Sequence, residues 1–204
     1  MYNKKQFEKV CNGYLTRLTY AKFLCDIHYS CYSKIEMYND KLKIAPNFFE
    51  VSFKAILHQA LLTSANFYLY GQSNEFTLQK LLKILESDSC IRRGSNIKEL
   101  DETIRQSREY LNSREDIIKR LIEWRNRYIA HNDKKYFIDQ YKIDSEAINI
   151  NELIELISFG VKIIFNIGRI INIELSFDDA KYINDFPLLI ENISEDGSGA
   201  KKTE

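Results

Sequence analysis

The fold is decided by residues 149–173, which read NINELIELISFGVKIIFNIGRIINI. Apolar side chains recur here at helical spacing, and Asn149 followed three residues later by Glu152 is the capping-box pattern that begins many helices. The polar residues inside the apolar run fall on one narrow face of a 3.6-residue helix; they are Glu155, Lys162, Asn166 and Arg169. In a membrane span this stripe would be exposed to lipid. The stretch is therefore predicted to be a core helix with one solvated edge.

The rest of the 204-residue chain has the same helical character. It contains two prolines and seven glycines, too few for the many tight turns of an all-β fold. Residues 89–94 are predicted to be a loop. The sequence therefore predicts an all-α protein, a single helical bundle of about five helices over residues 1–194, with a disordered tail at 195–204. The predicted helices cover about 4–41 (one helix or two joined ones), 48–70, 77–86, 96–131 and 149–172.

The predicted boundaries rest on local capping signals. Pro46 is expected to stop the first helical segment, because proline disfavours helix in the residue before it. Asn47 with Glu50, and Asn96 with Glu99, form two further capping-box patterns. Gly71 is expected to end the helix that begins near residue 48.

Charge and cysteine content limit the class of protein. Lys plus Arg and Asp plus Glu both number 29, so the net charge is zero and RNA binding would need a local basic patch. The four cysteines show no CxxC spacing, and the N-terminus lacks an apolar signal core. We therefore expect free thiols, a cytoplasmic location and no association with a membrane.

The chemistry-bearing residues lie on the predicted helix that ends near residue 131. Its apolar residues from Ile117 to Ile129 cover one continuous face, and Arg125 projects from the middle of that face. A guanidinium among apolar side chains is costly unless something compensates its charge. One interpretation is a structural arginine paired with a buried carboxylate; the other is an arginine that binds an anionic ligand.

His131 follows Arg125 by six positions, which places it roughly 120° away around an unbroken helix. The pair would therefore converge poorly within one chain. If the face of Ile118, Ile122, Arg125 and Ile129 formed the seam of a two-fold dimer, both copies of each residue would gather in one cleft. We accordingly expect a homodimer.

The string Trp124-Arg-Asn-Arg-Tyr-Ile-Ala-His131 resembles the R-polar-x(3–5)-H signature of the HEPN superfamily of α-helical ribonucleases. It looks most like the abortive-infection U-type HEPN-like proteins of bacterial phage resistance. The resemblance implies a ribonuclease in which Arg125 and His131 are catalytic and Asn126 helps hold the site. It also implies a toxin-like effector whose partners are RNA and, in some systems, an antitoxin or another defence protein.

The implied roles agree with elementary chemistry. RNA brings its own nucleophile, the 2′-hydroxyl; histidine can transfer protons near neutral pH, and arginine can bind phosphate oxygens through two N–H groups. The sequence also departs from the family. Some HEPN toxins carry a tyrosine two residues after the histidine, as a target for nucleotidylation, but here that residue is Asp133. A rival pair exists as well, because Arg127 and His131 are four residues apart on one helix face.

A basic and aromatic strip runs beside the apolar face of the same helix. It consists of Arg120, Trp124, Arg127 and His131, whose indole and guanidinium groups would suit stacking of bases and binding of backbone phosphate in single-stranded RNA. The alternative is a solvated edge with the indole packed into the core. The sequence leaves both open.

No cofactor or metal is expected. Cys25, His28 and Cys31 have helical spacing but lack a fourth ligand for zinc. His58 is expected to be a core or interface histidine rather than a catalyst. The predicted function is thus a metal-independent endoribonuclease, and the alternative is a catalytically inactive helical module that binds a protein or RNA.

Overall fold

A computed structural model describes residues 2–33, 42–43, 45–69, 77–126 and 148–176 of the chain. Within these ranges every regular element of two or more residues is helical, which confirms the all-α prediction. The predicted tail at 195–204, the predicted helix end at Gly71 and the stretch 34–41 lie outside the described residues. The helices are α1 (Lys4–Ser33), α2 (Pro46–Tyr68), α3 (Leu78–Ser87), α4 (Ser89–Arg92), α5 (Ile97–Ser113), α6 (Glu115–Arg125) and α7 (Ile150–Ile170).

The start of α2 differs from the prediction. Pro46 occupies the first turn, Ala45 is the N-cap residue, and no side chain caps the helix. The predicted cap by Asn47 and Glu50 is therefore wrong. Proline lacks only an N–H that a first turn does not use, and its fixed φ suits the helix, so α2 begins at Pro46, two residues before the predicted start. Glu50 instead accepts a hydrogen bond from Lys54 Nζ at 2.7 Å.

The predicted loop at residues 89–94 contains the short helix α4. The backbone N–H groups of Cys90 and Ile91 both donate to Asp88 Oδ1, which caps this single turn. The preceding helix α3 begins, as predicted, after Thr77, whose side chain accepts from Lys80 N. The loop prediction was wrong because an aspartate at an N-cap can hold one helical turn without an apolar repeat.

The predicted long helix from residue 96 is two helices within the described range. Asn96 caps α5 by accepting from Glu99 N, as predicted. The helix then ends at Arg114, whose φ of −114° and ψ of 17° are outside the helical region, and α6 begins directly afterwards. Arg114 donates from Nη2 to Glu155 Oε1 of α7 at 2.6 Å. The break between α5 and α6 thus lies where an ion pair connects Arg114 to α7.

Helix α7 matches its prediction. Asn149 and Glu152 form a complete capping box, in which the Glu152 carboxylate accepts from Asn149 N at 3.0 Å. Of the predicted polar stripe, Glu155, Lys162 and Arg169 are exposed and Asn166 is half-buried. None of the described helices is long and apolar enough to cross a membrane.

The larger of two apolar clusters among the described residues joins the helices. Helix α1 packs against α2 and α7, and α2 in turn packs against α6. At the crossing of α1, α2 and α7, a Cβ on Gly160 would lie 2.9 Å from Leu18 and from Phe67, so only glycine fits there without a shift. The fully buried hydroxyl of Tyr68 donates to Leu156 O at 2.6 Å. Helix α2 therefore has a fixed position from which it contacts α6.

Candidate functional site

Helix α6 turns its apolar face into the core and carries the motif arginine at its C-terminal end. Ile118 and Leu121 are fully buried, and Trp124 is 8% exposed. Arg125 follows Ile118 by seven residues and so lies on the same side of the helix. Its side chain is half-buried. As predicted, the guanidinium lies on the apolar face, at the edge of the core.

The hydrogen bonding of Arg125 is incomplete within the part of the chain that the structure describes. Its Nη1 donates to Asn126 Oδ1 at 2.9 Å. Its Nε is buried and has no hydrogen-bond partner among the described residues, and none of the described carboxylates forms an ion pair with it. A buried unsatisfied donor costs about 1–3 kcal/mol, and more in a charged group. The buried carboxylate of the structural interpretation is therefore not found among these residues.

Asn126 has two roles at the end of α6. It is the C-cap residue, with φ −66° and ψ −40°, and its backbone N–H donates to the carbonyl oxygens of Glu123 and Ile122. Its side-chain oxygen holds one nitrogen of Arg125. Asn126 thus ends the helix and also orients the guanidinium of Arg125. This agrees with the positioning role that the family resemblance implies.

The other half of the motif lies beyond the described residues. His131 and Arg127 both fall in the stretch 127–147, so the structure places neither of them. The catalytic assignment of His131, the rival pair of Arg127 with His131 and the RNA-binding assignment of Arg127 stay predictions.

Arg120 and Trp124, the other two residues of the predicted RNA-binding strip, have partners inside the protein. Arg120 Nη2 donates to Glu152 Oε1 at 2.8 Å, and this bond raises the pKa of Arg120 and lowers that of Glu152. Trp124 belongs to the core, where little of its indole is exposed for stacking on a base. These contacts favour the alternative of a solvated edge with the indole packed inside, and RNA binding by the strip stays a prediction.

A second imidazole lies at the same end of α6. The ring of His58, on α2, contacts the indole of Trp124 edge-on, with the ring centroids 5.2 Å apart and the planes at 63°. Burial of the half-buried ring and the positive charge of Lys54 lower the pKa of His58. Sequence reasoning identified His58 as a core or interface residue, and the contact agrees with that. The contact of His58 with Trp124, the residue directly before Arg125, was not predicted.

Helix α2 also carries exposed apolar residues, whereas part of the predicted dimer seam is inaccessible. Ile118 has 0% exposure inside a single chain and cannot contact a second copy. The prediction that Ile118 belongs to the dimer face is therefore wrong, because α2 and the core already cover this residue. Phe48 and Val51 of α2, both 67% exposed, are available to a partner.

The described cysteines and histidines form no metal site. Across residues 2–33, 42–43, 45–69, 77–126 and 148–176, no group of three or more His, Cys, Asp or Glu side chains is arranged to hold a metal ion. Burial raises the pKa of Cys25 and Cys31 to about 12, so these thiols stay protonated near neutral pH. They are free thiols, as predicted.

The chain was compared with known families and known proteins. The model of the family HEPN_AbiU2, described as AbiU2, matches residues 6–187, which is most of the chain. No curated protein and no solved structure matches it.

Proposed function

Because the chain belongs to the HEPN-like AbiU2 abortive-infection family, we propose that it is a metal-independent endoribonuclease that acts as a toxin-like effector of phage defence. The observation that supports the proposal most strongly is the environment of Arg125. Its guanidinium is half-buried at the end of α6, is directed by Asn126, and has a buried Nε without a partner among the described residues. A permanent cation in this state is suited to binding an anion that arrives from outside, such as an RNA phosphate.

The proposed reaction uses the internal nucleophile of RNA. The 2′-oxygen attacks the adjacent phosphorus, the P–O5′ bond breaks, and the products are a 2′,3′-cyclic phosphate and a 5′-hydroxyl. Arg125 stabilises the negative charge that builds on the phosphate oxygens, and His131 transfers a proton. Asn126 keeps the guanidinium oriented.

We further propose that two copies of the chain form the site. Arg125 and His131 are six positions apart, a spacing that would turn their side chains away from each other on one straight helix. The proposed contact surface is the exposed apolar face of α2 formed by Phe48 and Val51. Sedimentation at tens of micromolar, where a standard-sized interface associates, should give a dimer. Phe48→Lys should give a monomer, whereas a wild-type monomer would contradict this part of the proposal.

The alternative function is a helical module that binds a protein or RNA without cleaving it. Phe48 and Val51 favour it, since exposed large apolar residues on one helix are suited to a protein contact. The two functions differ in what a His131→Ala substitution does. It should abolish RNA cleavage and toxicity on induced expression in the first case, and leave toxicity unchanged in the second.

The chemical test uses an RNA oligonucleotide with and without a 2′-O-methyl group at the cut site. Cleavage of the unmodified RNA should continue in EDTA and leave a cyclic phosphate, and DNA should be resistant because it lacks the 2′-hydroxyl. The methylated substrate is the matched control and should stay intact. Cleavage of the methylated RNA, or activity that appears only after magnesium is added, would exclude this mechanism.

A further inference from the structure

A small cavity lies where the start of α1 meets the short helix α4 and the residue that follows α7. Its volume is about 110 Å³. Part of its lining is apolar and comes from the buried side chains of Phe7, Ile91 and Ile171. Two cations also line it, Lys4 at the start of α1 and Arg93 at the end of α4. The cavity thus combines an apolar wall with two positive charges from distant parts of the sequence.

The two cations at this cavity have no counter-ion within the described part of the chain. The side chains of Lys4 and Arg93 form no ion pair and no hydrogen bond there, and no carboxylate lines the cavity. The adjacent Arg92 differs, because its guanidinium donates to Leu85 O and pairs with Asp101. Of two consecutive arginines, therefore, one is neutralised inside the protein and the other leaves its charge at the cavity.

The carboxylates closest along the chain have other contacts. Asp88 accepts from Cys90 N at 2.9 Å as the cap of α4, and from Tyr2 N at 2.7 Å. These backbone bonds lower the pKa of Asp88, with the Tyr2 bond the largest cause. Glu8, one turn after Lys4, forms no ion pair with it in the described structure. Asp88 therefore joins the start of the chain to α4, which fixes two sides of the cavity without neutralising the two cations.

We propose that this cavity binds a phosphate dianion, either free phosphate or the end group of a small phosphate monoester. This inference does not depend on RNA cleavage. The guanidinium of Arg93 offers paired N–H donors to two phosphate oxygens, and the ammonium of Lys4 adds a second positive charge. A monovalent carboxylate would balance only one of the two cations. An apolar cavity of about 150 Å³ holds benzene, so a cavity of about 110 Å³ is large enough for a phosphate group.

The test uses Cys90, which lines the same cavity, as a reporter of its occupancy. All four cysteines lie within the described residues, and among them Cys90 is exposed. Burial raises the pKa of Cys11, Cys25 and Cys31 to about 12, so these thiols stay protonated near neutral pH. N-ethylmaleimide, an uncharged reagent that alkylates thiolates, should therefore label Cys90 first. The mass of the intact chain measures the rate of labelling.

Inorganic phosphate should slow the labelling of Cys90 in a saturable manner, whereas sodium chloride at the same ionic strength should not. Lys4→Ala and Arg93→Ala should each raise the phosphate concentration that gives half-protection at least about tenfold, the effect of losing one hydrogen bond to a charged group. Lys5→Ala is the matched control, because Lys5 is an exposed neighbour on α1 that does not line the cavity. It should keep the wild-type concentration. All three substituted positions are exposed, and melting temperatures check that the variants stay folded.

Adenosine 5′-monophosphate distinguishes the two sources of the phosphate group, with adenosine as its control. Protection by inorganic phosphate alone would assign the cavity to free phosphate. Protection by the monophosphate as well, but not by adenosine, would assign it to a phosphate monoester. The proposal would be overturned if neither phosphate compound slowed labelling more than sodium chloride does. It would also be overturned if Lys4→Ala and Arg93→Ala were protected at the wild-type phosphate concentration, since the anion would then bind elsewhere.

Discussion

The surface on which ion pairs join α3, α5, α6 and α7 and the C-terminal end of α6 both present arginines, but the surroundings of these arginines differ. On the first, here called the paired edge, each of four arginines contacts a carboxylate: Arg108 with Glu86, Arg114 with Glu155, Arg120 with Glu152 and Arg169 with Glu99. At the second, the motif end, Arg125 contacts the neutral amide of Asn126, and its Nε has no partner among the described residues.

The difference separates two uses of the same side chain. On the paired edge the guanidinium connects helices that are distant in sequence, and its charge is neutralised inside the protein. At the motif end the charge is directed but not neutralised, which costs stability unless a ligand supplies the anion. An arginine in a mostly apolar face without a carboxylate is therefore a better indicator of a binding site than an arginine in an ion pair.

The largest expected effect concerns activity. Arg125→Ala should lower the rate of RNA cleavage at least about 10²-fold, the scale for loss of one group that stabilises developing charge. Arg114→Ala, on the paired edge, should leave the rate within about twofold, because its guanidinium is bonded to Glu155. Initial rates on a fluorescent RNA oligonucleotide measure both. If Arg125→Ala and Arg114→Ala lowered the rate of RNA cleavage equally, the motif end and the paired edge would not differ in function.

The next effect is on stability, at the paired edge. Glu152 pairs with Arg120 and also accepts from the N-cap nitrogen of α7. Glu152→Ala should lower the free energy of unfolding by about 1–2 kcal/mol, the sum of a helix cap and an exposed ion pair. Urea denaturation measures this change. Glu174→Ala, at an exposed position beyond α7, is the control and should change it by less than about 0.5 kcal/mol.

A smaller effect of the opposite sign is expected at the motif end. Arg125→Leu replaces a half-buried charge and an unsatisfied donor by an apolar side chain. The free energy of unfolding should stay constant or rise by up to about 1 kcal/mol. A fall of about 3–5 kcal/mol would instead reveal a buried carboxylate partner, and Arg125 would then belong with the paired arginines.

The smallest effect is in the pH dependence of stability. The hydrogen bond from Arg120 lowers the pKa of Glu152 in the folded protein. Its contribution is therefore complete above the ordinary glutamate pKa of about 4.3 and is lost as the pH falls through the lower folded value. Because the pair is partly exposed, the loss should be about 0.5 kcal/mol. The difference in unfolding free energy between pH 6 and pH 3 should be smaller by this amount in Glu152→Gln, and an identical pH dependence would indicate that the pair contributes nothing.

Most of the fold could be predicted from local sequence patterns, namely helix caps and the spacing of apolar residues. The capping box of Asn149 and Glu152 involves four consecutive residues, so its geometry could be predicted without knowledge of the rest of the chain. Pro46 shows the limit of such signals, because proline is also favoured in the first turn of a helix, and the predicted cap at Asn47 placed the start of α2 two residues too late. The break at Arg114 could not be predicted from the helical pattern, which continues through it; its side chain bonds to Glu155, which is 41 residues away.

The sequence by itself determined the all-α class, the buried face of α6, the position of Arg125 on that face and the family resemblance, because all of these depend on residue spacing within one helix. Only the tertiary structure decided what each polar side chain on α6 contacts. It paired Arg120 with Glu152, packed the indole of Trp124 against His58 and left the Nε of Arg125 buried without a partner among the described residues. The physical reason is that packing brings α2 and α7 to α6, and partners on other helices leave no periodic trace in the sequence of the helix they contact.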